Sequence, residues 1–224
     1  MQLLSLRNGF LALTLTAIAS ASGLITACTN AASQNQSQAP NATATNTSDN
    51  HTNHSMGMDL GPADANFDLR FIDAMIPHHQ GAVEMAKEAL QKSKRPEIKK
   101  LADDIIKSQN QEITQMKQWR QAWYPSAGDK PMAYNSQMGH MMEMSSDQMQ
   151  AMMMSQDLGA ADAEFDLRFI NAMIPHHEGA VTMAKDVLSK SKRPEIKQLA
   201  QEIINAQNTE IKQMQQWRKS WYNK

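Results

Sequence analysis

One segment occurs twice in this chain, and the duplication limits the fold more than any other feature of the sequence. Residues 59–124 align with residues 157–222 at a constant offset of 98, without a gap, and 48 of the 66 aligned positions are identical. Each copy contains two stretches in which apolar residues recur at helical spacing. A single helical hairpin cannot bury its own apolar stripe, whereas two hairpins can cover each other. The repeat therefore predicts one bundle with internal pseudo-twofold symmetry.

The residues that start and stop helices give approximate boundaries. We expect four helices, near residues 64–92, 97–123, 162–190 and 195–221. Asp64 is the expected N-cap of the first helix, and Pro96 suits the start of the second. No run alternates in the manner of a strand, and we expect most of the methionine-rich linker 125–156 to lack a fixed conformation. The predicted fold class is all-α, an antiparallel four-helix bundle.

The differences between the two copies test the phase of the first helix. One substitution within the apolar stripe, Ala89/Val187, stays apolar. Four further substitutions on this helix exchange polar residues on the opposite arc: Asp73/Asn171, Gln80/Glu178, Glu84/Thr182 and Glu88/Asp186. Since divergence has altered this arc and spared the stripe, we expect the arc to face solvent.

Methionine and histidine share the apolar face of the first helix in each copy. The sequence Met-Ile-Pro-His-His occurs in both, followed by a further methionine seven residues after the first histidine. The candidate metal ligands in the helices are Met75, His78, His79, Met85, Met116, Met173, His176, His177, Met183 and Met214. Thioether and imidazole groups together favour soft metals, above all Cu(I). The alternative is that these are hydrogen-bonded core histidines and packing methionines.

Polar residues interrupt the apolar seam of the second helix in each copy. They are Gln109 and Glu112, repeated as Gln207 and Glu210. A buried carboxylate must be paired or bind a cation. Glu112 could orient a ligand histidine, or it could form a structural ion pair with Arg70 or a lysine; the same alternatives hold for Glu210.

A helical bundle with internal His and Glu also suggests a di-iron protein. Such sites use Glu-x-x-His on two helices. Here the equivalent positions read Met75-x-x-His78 and Met173-x-x-His176, and no Glu-x-x-His occurs in the chain. Replacement of the carboxylate by a thioether disfavours hard-ion oxidase chemistry and favours a soft monovalent ion.

The segment between the repeats is the richest in methionine. Nine of the 23 residues from Met132 to Met154 are methionine, out of 18 in the whole chain. We expect copper capture here through Met138, His140, Met141, Met142 and Met144. A flexible, methionine-rich surface that binds peptides is the alternative. Because an imidazole must be neutral to bind metal, binding by the helical motifs is expected to weaken more between about pH 7 and 5 than binding by this segment.

The N-terminus resembles an export signal. Arg7 precedes an apolar stretch at residues 9–19 that is too short to span a bilayer, and Cys28, the only cysteine, follows small residues as in a bacterial lipobox. Simple cleavage after Ala21 is the alternative. Residues 1–28 are thus the expected signal peptide and residues 29–58 a polar tether. The tether ends in four further candidate ligands, His51, His54, Met56 and Met58.

The two repeats resemble the CopM-type copper-binding proteins of the bacterial envelope, which belong to a ferritin-like helical family long catalogued as of unknown function. The likeness is carried by Phe67-Asp68, Met75-x-x-His78-His79-x-x-Ala82-x-x-Met85-Ala86 and Gln109-x-x-Glu112-Ile113-x-x-Met116-x-x-Trp119, each present twice. The resemblance implies a ferritin-like four-helix fold, binding of Cu(I), with Ag(I) or Cu(II) as further ions, and a role in copper resistance.

We therefore expect a copper-binding protein of the periplasm or cell envelope that sequesters Cu(I) or passes it on. Expected partners are copper ions and an envelope copper exporter or sensor, with membrane contact only through a lipid anchor at Cys28. A net charge of −1 does not favour nucleic acid. No nucleophile with its base and no Gly-rich phosphate loop is evident, so we expect no enzyme. The alternatives are a ferritin-like oxidoreductase, for example a copper oxidase, and a methionine-rich interaction module.

Overall fold

The computed structural model describes residues 59–224, which form a helical bundle with one small hairpin. The elements are α1 (Phe67–Lys92), α2 (Pro96–Trp123), β1 (Met132–Asn135), β2 (His140–Glu143), α3 (Ser146–Met153), α4 (Phe165–Lys190) and α5 (Pro194–Tyr222). The four long helices confirm the all-α prediction. None of the helices in residues 59–224 is long and apolar enough to cross a membrane.

The first helix begins at Phe67, so the predicted N-cap at Asp64 is wrong. Asp64 instead accepts a hydrogen bond from the backbone N–H of Asn66 at 2.9 Å, which forms a turn before the helix. Its carboxylate also lies 3.0 Å from the guanidinium of Arg70. Arg70 is buried and donates to the carbonyls of Leu60 and Pro62, both at 2.6 Å. The segment before α1 is therefore tied to the helix by one arginine.

Within each repeat a serine and a proline form the turn between the helices. Ser93 takes an extended conformation after α1, and its Oγ accepts a hydrogen bond from the backbone N–H of Arg95 at 3.1 Å. Pro96 occupies the first turn of α2, where no backbone donor is needed. Pro77 lies inside α1, which nevertheless runs without a break.

The core consists of two apolar clusters along the bundle. The first contains residues of α1 from Phe67 to Met75 together with residues of α4 from Ala180 to Val187. The second contains residues of α1 from Ala82 to Ala89 together with residues of α4 from Phe165 to Ile174. The N-terminal half of α1 thus packs on the C-terminal half of α4, and vice versa. The two helices are antiparallel, and the two hairpins form one bundle.

The linker between the repeats is ordered, which corrects the expectations that most of residues 125–156 lack a fixed conformation and that the chain has no strands. Strands β1 and β2 pair antiparallel, with Met132 opposite Glu143 and Asn135 opposite His140. Helix α3 follows and starts with a capping box, in which Ser145 and Gln148 bond each other's backbone N–H groups. Strands of four residues give almost no periodic signal, and contacts with the bundle hold them in place.

Asp73 attaches this linker to α1. It accepts a hydrogen bond from the backbone N–H of Met132 at 2.8 Å and pairs with Nε of Arg120 at 2.5 Å. Only 2% of the residue is exposed, so the prediction that Asp73 faces solvent is wrong. Burial raises the pKa of its carboxyl, while Arg120 and the Met132 amide act in the opposite direction. Asn171, at the same position of the second repeat, is exposed as predicted.

Helix α3 ends directly on α1. A Cβ atom built on Gly81 would lie 1.7 Å from the carbonyl oxygen of Met153, so only glycine permits this approach. Met154 then takes a left-handed conformation, with φ of 47°, and ends the helix. The side chain of Met152 packs into the first apolar cluster.

Candidate metal centre

Four histidines form a layer between the two apolar clusters. His78 and His79 come from α1, and His176 and His177 come from α4; all four are buried. The ring centroids of His78 and His176 are 3.9 Å apart, whereas those of His78 and His79 are 6.5 Å apart. We call these four residues the histidine layer. It lies where α1 and α4 pass each other, at the centre of the pseudo-twofold arrangement.

A glutamate orients one histidine of each repeat. Nε2 of His79 lies 2.5 Å from Oε2 of Glu112, and Nε2 of His177 lies 2.6 Å from Oε2 of Glu210. An ionised carboxylate only accepts, so Nε2 carries the proton and donates. The Nδ1 atoms of His79 and His177 are buried without a hydrogen-bond partner. Glu112 therefore contacts a histidine and not Arg70, one of the two arrangements that the sequence left open.

The other two histidines are neutral and poorly satisfied. Burial lowers the pKa of His78 well below its ordinary value, and the neighbouring His176, His79 and His177 add to this. Burial lowers the pKa of His176 to about 3, even though its Nε2 donates to the Met153 carbonyl at 3.1 Å. His78 has no partner for either nitrogen, and Nδ1 of His176 has none. Each buried polar group without a partner costs about 1–3 kcal/mol, and a bound cation would offset that cost.

These pKa values change the expectation for acid. A histidine that stays neutral at pH 5 keeps its lone pair for a metal, so protons compete little at His78 and His176 between about pH 7 and 5. The reasoning from ordinary imidazole, which anticipated weaker binding by the helical motifs in that interval, does not apply to these two residues.

The six candidate methionines of the helices are all buried in the two clusters beside the layer. Met75, Met116 and Met183 belong to the first cluster. Met85, Met173 and Met214 belong to the second. Each cluster thus combines methionines from both repeats. The structure places thioether groups in the apolar clusters on both sides of the histidine layer, where they serve as packing residues.

The donor set suits a soft ion of low coordination number. Within residues 59–224, no group of three or more His, Cys, Asp or Glu side chains is arranged to hold a metal ion. A hard divalent ion requires several oxygen ligands, and Glu112 and Glu210 beside the layer are already bonded to histidines. Neutral imidazole nitrogens supported by thioethers match Cu(I) or Ag(I) instead. Gln109 and Gln207 lie three residues before Glu112 and Glu210. Their side-chain amide oxygens are also buried without a hydrogen-bond partner.

The methionine-rich linker is divided by the fold into buried and exposed parts. Met144 and Met152 are buried, so these two act as packing residues. Met138 and Met142 are exposed, as is His140, and Met141 is half-buried. The structure thus separates Met144 from the other candidate ligands of this segment. Cys28, His51, His54, Met56 and Met58, with the expected signal peptide and tether, lie outside the described residues.

Three features of this centre were not found from the sequence. The Met153 carbonyl, the glycine at position 81 that admits it, and the Asp73–Arg120 pair all depend on where the linker lies. The one available signal was the Asp73/Asn171 difference. A buried carboxylate in one repeat and an exposed amide in the other indicates that only the first repeat is covered there.

The fold and the histidine layer define a class of protein, a bundle of duplicated helical hairpins with neutral, partly unsatisfied histidines at its centre. The chain belongs to the family described as Domain of unknown function (DUF305), which it matches over residues 22–120 and again over residues 68–218.

Solved structures agree with this assignment. CopM in the Cu(II)-bound form is 43% identical, with a TM-score of 0.55, and the match covers 69% of this chain and 97% of that one. CopM in the Cu(I)-bound form is 42% identical, with a TM-score of 0.54 and the same coverage. A DUF305 fragment from Deinococcus radiodurans is 29% identical, with a TM-score of 0.50, and the match covers 69% of this chain and 95% of the fragment.

A curated relative matches over a shorter stretch. It is the uncharacterized protein L153 of Acanthamoeba polyphaga mimivirus, which is 49% identical over 49 residues. The match spans 22% of this chain and about a third, 32%, of that protein.

Proposed function

We propose that this protein binds monovalent copper in the bundle core and sequesters it or passes it on in the cell envelope, contributing to copper resistance. The observation that carries the proposal is the histidine layer. It offers buried nitrogens without hydrogen-bond partners, on the neutral rings of His78 and His176, with thioethers in the adjoining clusters. The two glutamates beside the layer are already bonded to histidines. Such a set favours a soft monovalent ion over a divalent one.

Structures of similar proteins support copper as the metal. CopM has been described in Cu(I)-bound, Cu(II)-bound and silver-bound forms, at 43% to 40% identity to this chain. The sequence motif Met-x-x-His-His, which supplies the histidines of the layer, is present in both repeats. Envelope location rests on the N-terminal sequence alone, with Arg7, the apolar stretch 9–19 and Cys28. An envelope copper exporter or sensor is the proposed exchange partner.

Competition with a Cu(I)-specific chelator tests the proposal. We expect the purified protein to take Cu(I) from the chelator and to bind Ag(I), with far weaker binding of Zn²⁺ and none of Mg²⁺ or Ca²⁺. Replacing His78 and His176 together by leucine should remove the core-bound ion. The matched control, Met152→Leu, changes a buried residue of the first cluster that lies outside the repeated motif.

The outcomes separate the alternatives. If the His78→Leu/His176→Leu protein keeps its helical content by circular dichroism and loses core-bound Cu(I) while the control does not, the proposal stands. If the double variant is folded and keeps the full number of Cu(I) ions, the histidine layer is packing and the proposal is wrong. Stoichiometric Fe²⁺ binding with O₂ consumption would favour a ferritin-like oxidoreductase instead.

A further inference from the structure

The end of the β-hairpin carries soft donors that the bundle does not use. We call Met138, His140 and Met142 the hairpin tip. Met138 is 61% exposed and Met142 is 37% exposed, and they are the exposed large hydrophobic residues of the described chain. His140 lies between them and is also exposed. Two exposed methionines with an exposed histidine between them place three soft donor groups at one end of the hairpin.

The tip presents its donor atoms to solvent. Nδ1 of His140 lies 3.0 Å from the carbonyl oxygen of Met141. A carbonyl can only accept, so Nδ1 carries the proton and the lone pair is on Nε2. His140 and Met142 are two residues apart in β2 and therefore project from the same face of the strand. The sulfur of Met142 is held by the side-chain N–H of Asn135 at 3.2 Å, which leaves it a second lone pair.

The tip is carried by a fixed support. Ala133 and Met144 are buried, and the backbone N–H of Met132 donates to Asp73. Arg120 donates to the carbonyls of Gly128 at 2.7 Å and Lys130 at 2.9 Å. These bonds join the N-terminal side of the hairpin's base to α1 and α2. The backbone that carries the tip is therefore held in place before any ion binds, which lowers the entropic cost of binding.

Charge at the hairpin favours a soft ion over a hard one. Residues 135–142 contain no Asp or Glu. The nearest carboxylate along the strand, Glu143, pairs with Lys130 at 2.6 Å at the base of the hairpin. One imidazole nitrogen and two thioethers, without a free carboxylate, form a donor set for Cu(I) or Ag(I).

We propose that the hairpin tip is a second monovalent metal site, exposed to solvent and separate from the histidine layer. It binds Cu(I) or Ag(I) through Nε2 of His140 and the sulfurs of Met138 and Met142. Because these donors are exposed, the tip exchanges its ion without opening the bundle, whereas the layer releases its ion only when the core opens. The proposal rests on the proposed function only in taking monovalent copper as the natural ion.

Silver titration of the purified protein tests the tip. The variant Met138→Leu/His140→Gln/Met142→Leu keeps the apolar volume and polarity of the surface but removes all three donors. The matched control Met144→Leu/Met152→Leu removes two thioethers of the same segment that are buried. We expect the tip variant to bind about one silver ion fewer per protein and the control to bind the same number as the parent.

A second readout locates the ion. With methionine methyl groups labelled for NMR, Ag(I) should shift the Met138 and Met142 signals in the parent and also in the His78→Leu/His176→Leu protein. If the tip variant keeps every silver ion, or if the two signals do not move, the tip proposal is wrong, while the copper function of the histidine layer is unaffected. If the His78→Leu/His176→Leu protein loses silver at the layer and keeps it at the tip, the two sites bind independently, as proposed.

Discussion

The ring centroids of His78 and His176 lie 3.9 Å apart, and the two residues occupy equivalent positions in the two repeats. Their meeting joins the hairpins at a point where both rings are buried and neutral. Such a contact is poor as packing, since it leaves nitrogens without partners. It is good as a binding site, since the cost of desolvating the ligands is met during folding.

Acid should destabilise the metal-free protein through these two rings. In the unfolded chain histidine titrates near 6.5, whereas the pKa of His176 is about 3 and that of His78 is also far lowered. Below pH 6.5 these histidines therefore bind protons in the unfolded chain but stay unprotonated in the folded protein. The contribution of these rings to the free energy of unfolding is fully present above about pH 6.5. Below that pH, the free energy of unfolding falls by up to about 1.4 kcal/mol per pH unit for each ring.

Urea unfolding at pH 7 and pH 5 measures this effect. The parent protein should lose more stability across the interval than the His78→Leu/His176→Leu variant, although His79, His177, Glu112 and Glu210 remain next to the layer. An equal loss in both proteins would show that other groups cause the acid sensitivity.

Removal of the glutamate behind His79 should weaken metal binding without changing the ligands. Glu112→Ala leaves Nε2 of His79 buried without an acceptor, and loss of such a supporting contact lowers metal affinity by about 10–100-fold. Glu112→Gln keeps an acceptor oxygen, so its effect should be smaller. Chelator competition gives the affinities, and Glu84→Ala on the exposed face of α1 is the control. Equal affinities for Glu112→Ala and Glu84→Ala would contradict a positioning role.

Asp73→Ala should loosen the β-hairpin. The change removes the acceptor of the Met132 amide and the partner of Arg120. We expect a loss of about 1–3 kcal/mol in the free energy of unfolding and faster hydrogen exchange at the Met132 amide. Asn171→Ala, at the exposed equivalent position, should change stability by less than about 0.5 kcal/mol. A similar small effect of both substitutions would mean that the hairpin is held elsewhere.

Gly81→Ala should displace the end of α3. Alanine favours a helix by about 1 kcal/mol over glycine, but its Cβ would lie 1.7 Å from the Met153 carbonyl oxygen. We expect net destabilisation of about 1–3 kcal/mol and a changed ¹⁵N shift at Nε2 of His176, which donates to that carbonyl. Gln80→Ala, one residue away and exposed, is the control. A stabilised Gly81→Ala protein with an unchanged His176 signal would refute the close contact.

The helices and their inward faces could be predicted because helical periodicity acts over many residues and because the repeat tests each phase twice. The linker could not be predicted in this way. Its strands are four residues long, and contacts such as Met132 with Asp73 hold them in place. For the same reason Asp73 was assigned to the exposed arc. A helical wheel does not show that a distant segment covers one side of the helix.

The burial of the candidate histidines was predictable from the sequence, but their arrangement was not. The spacing of His78 and His79 on α1 placed them towards the interior, and both are buried. The sequence did not show that His78 would meet its own counterpart, nor which acceptor each ring would find. Those relations depend on how α1 crosses α4, and no local pattern encodes that crossing.

The meeting of equivalent histidines has a consequence for how such a centre is kept assembled. Two separate hairpins would associate through a symmetric interface and fall apart on dilution. Joined in one chain, they hold each other at an effective concentration on the order of millimolar, whatever the amount of protein present. Fusion also allows the two hairpins to differ in sequence. Asp73 anchors the linker in the first repeat, while Asn171 at the equivalent position of the second is exposed. A symmetric dimer would carry the same residue at both positions and could not make that distinction.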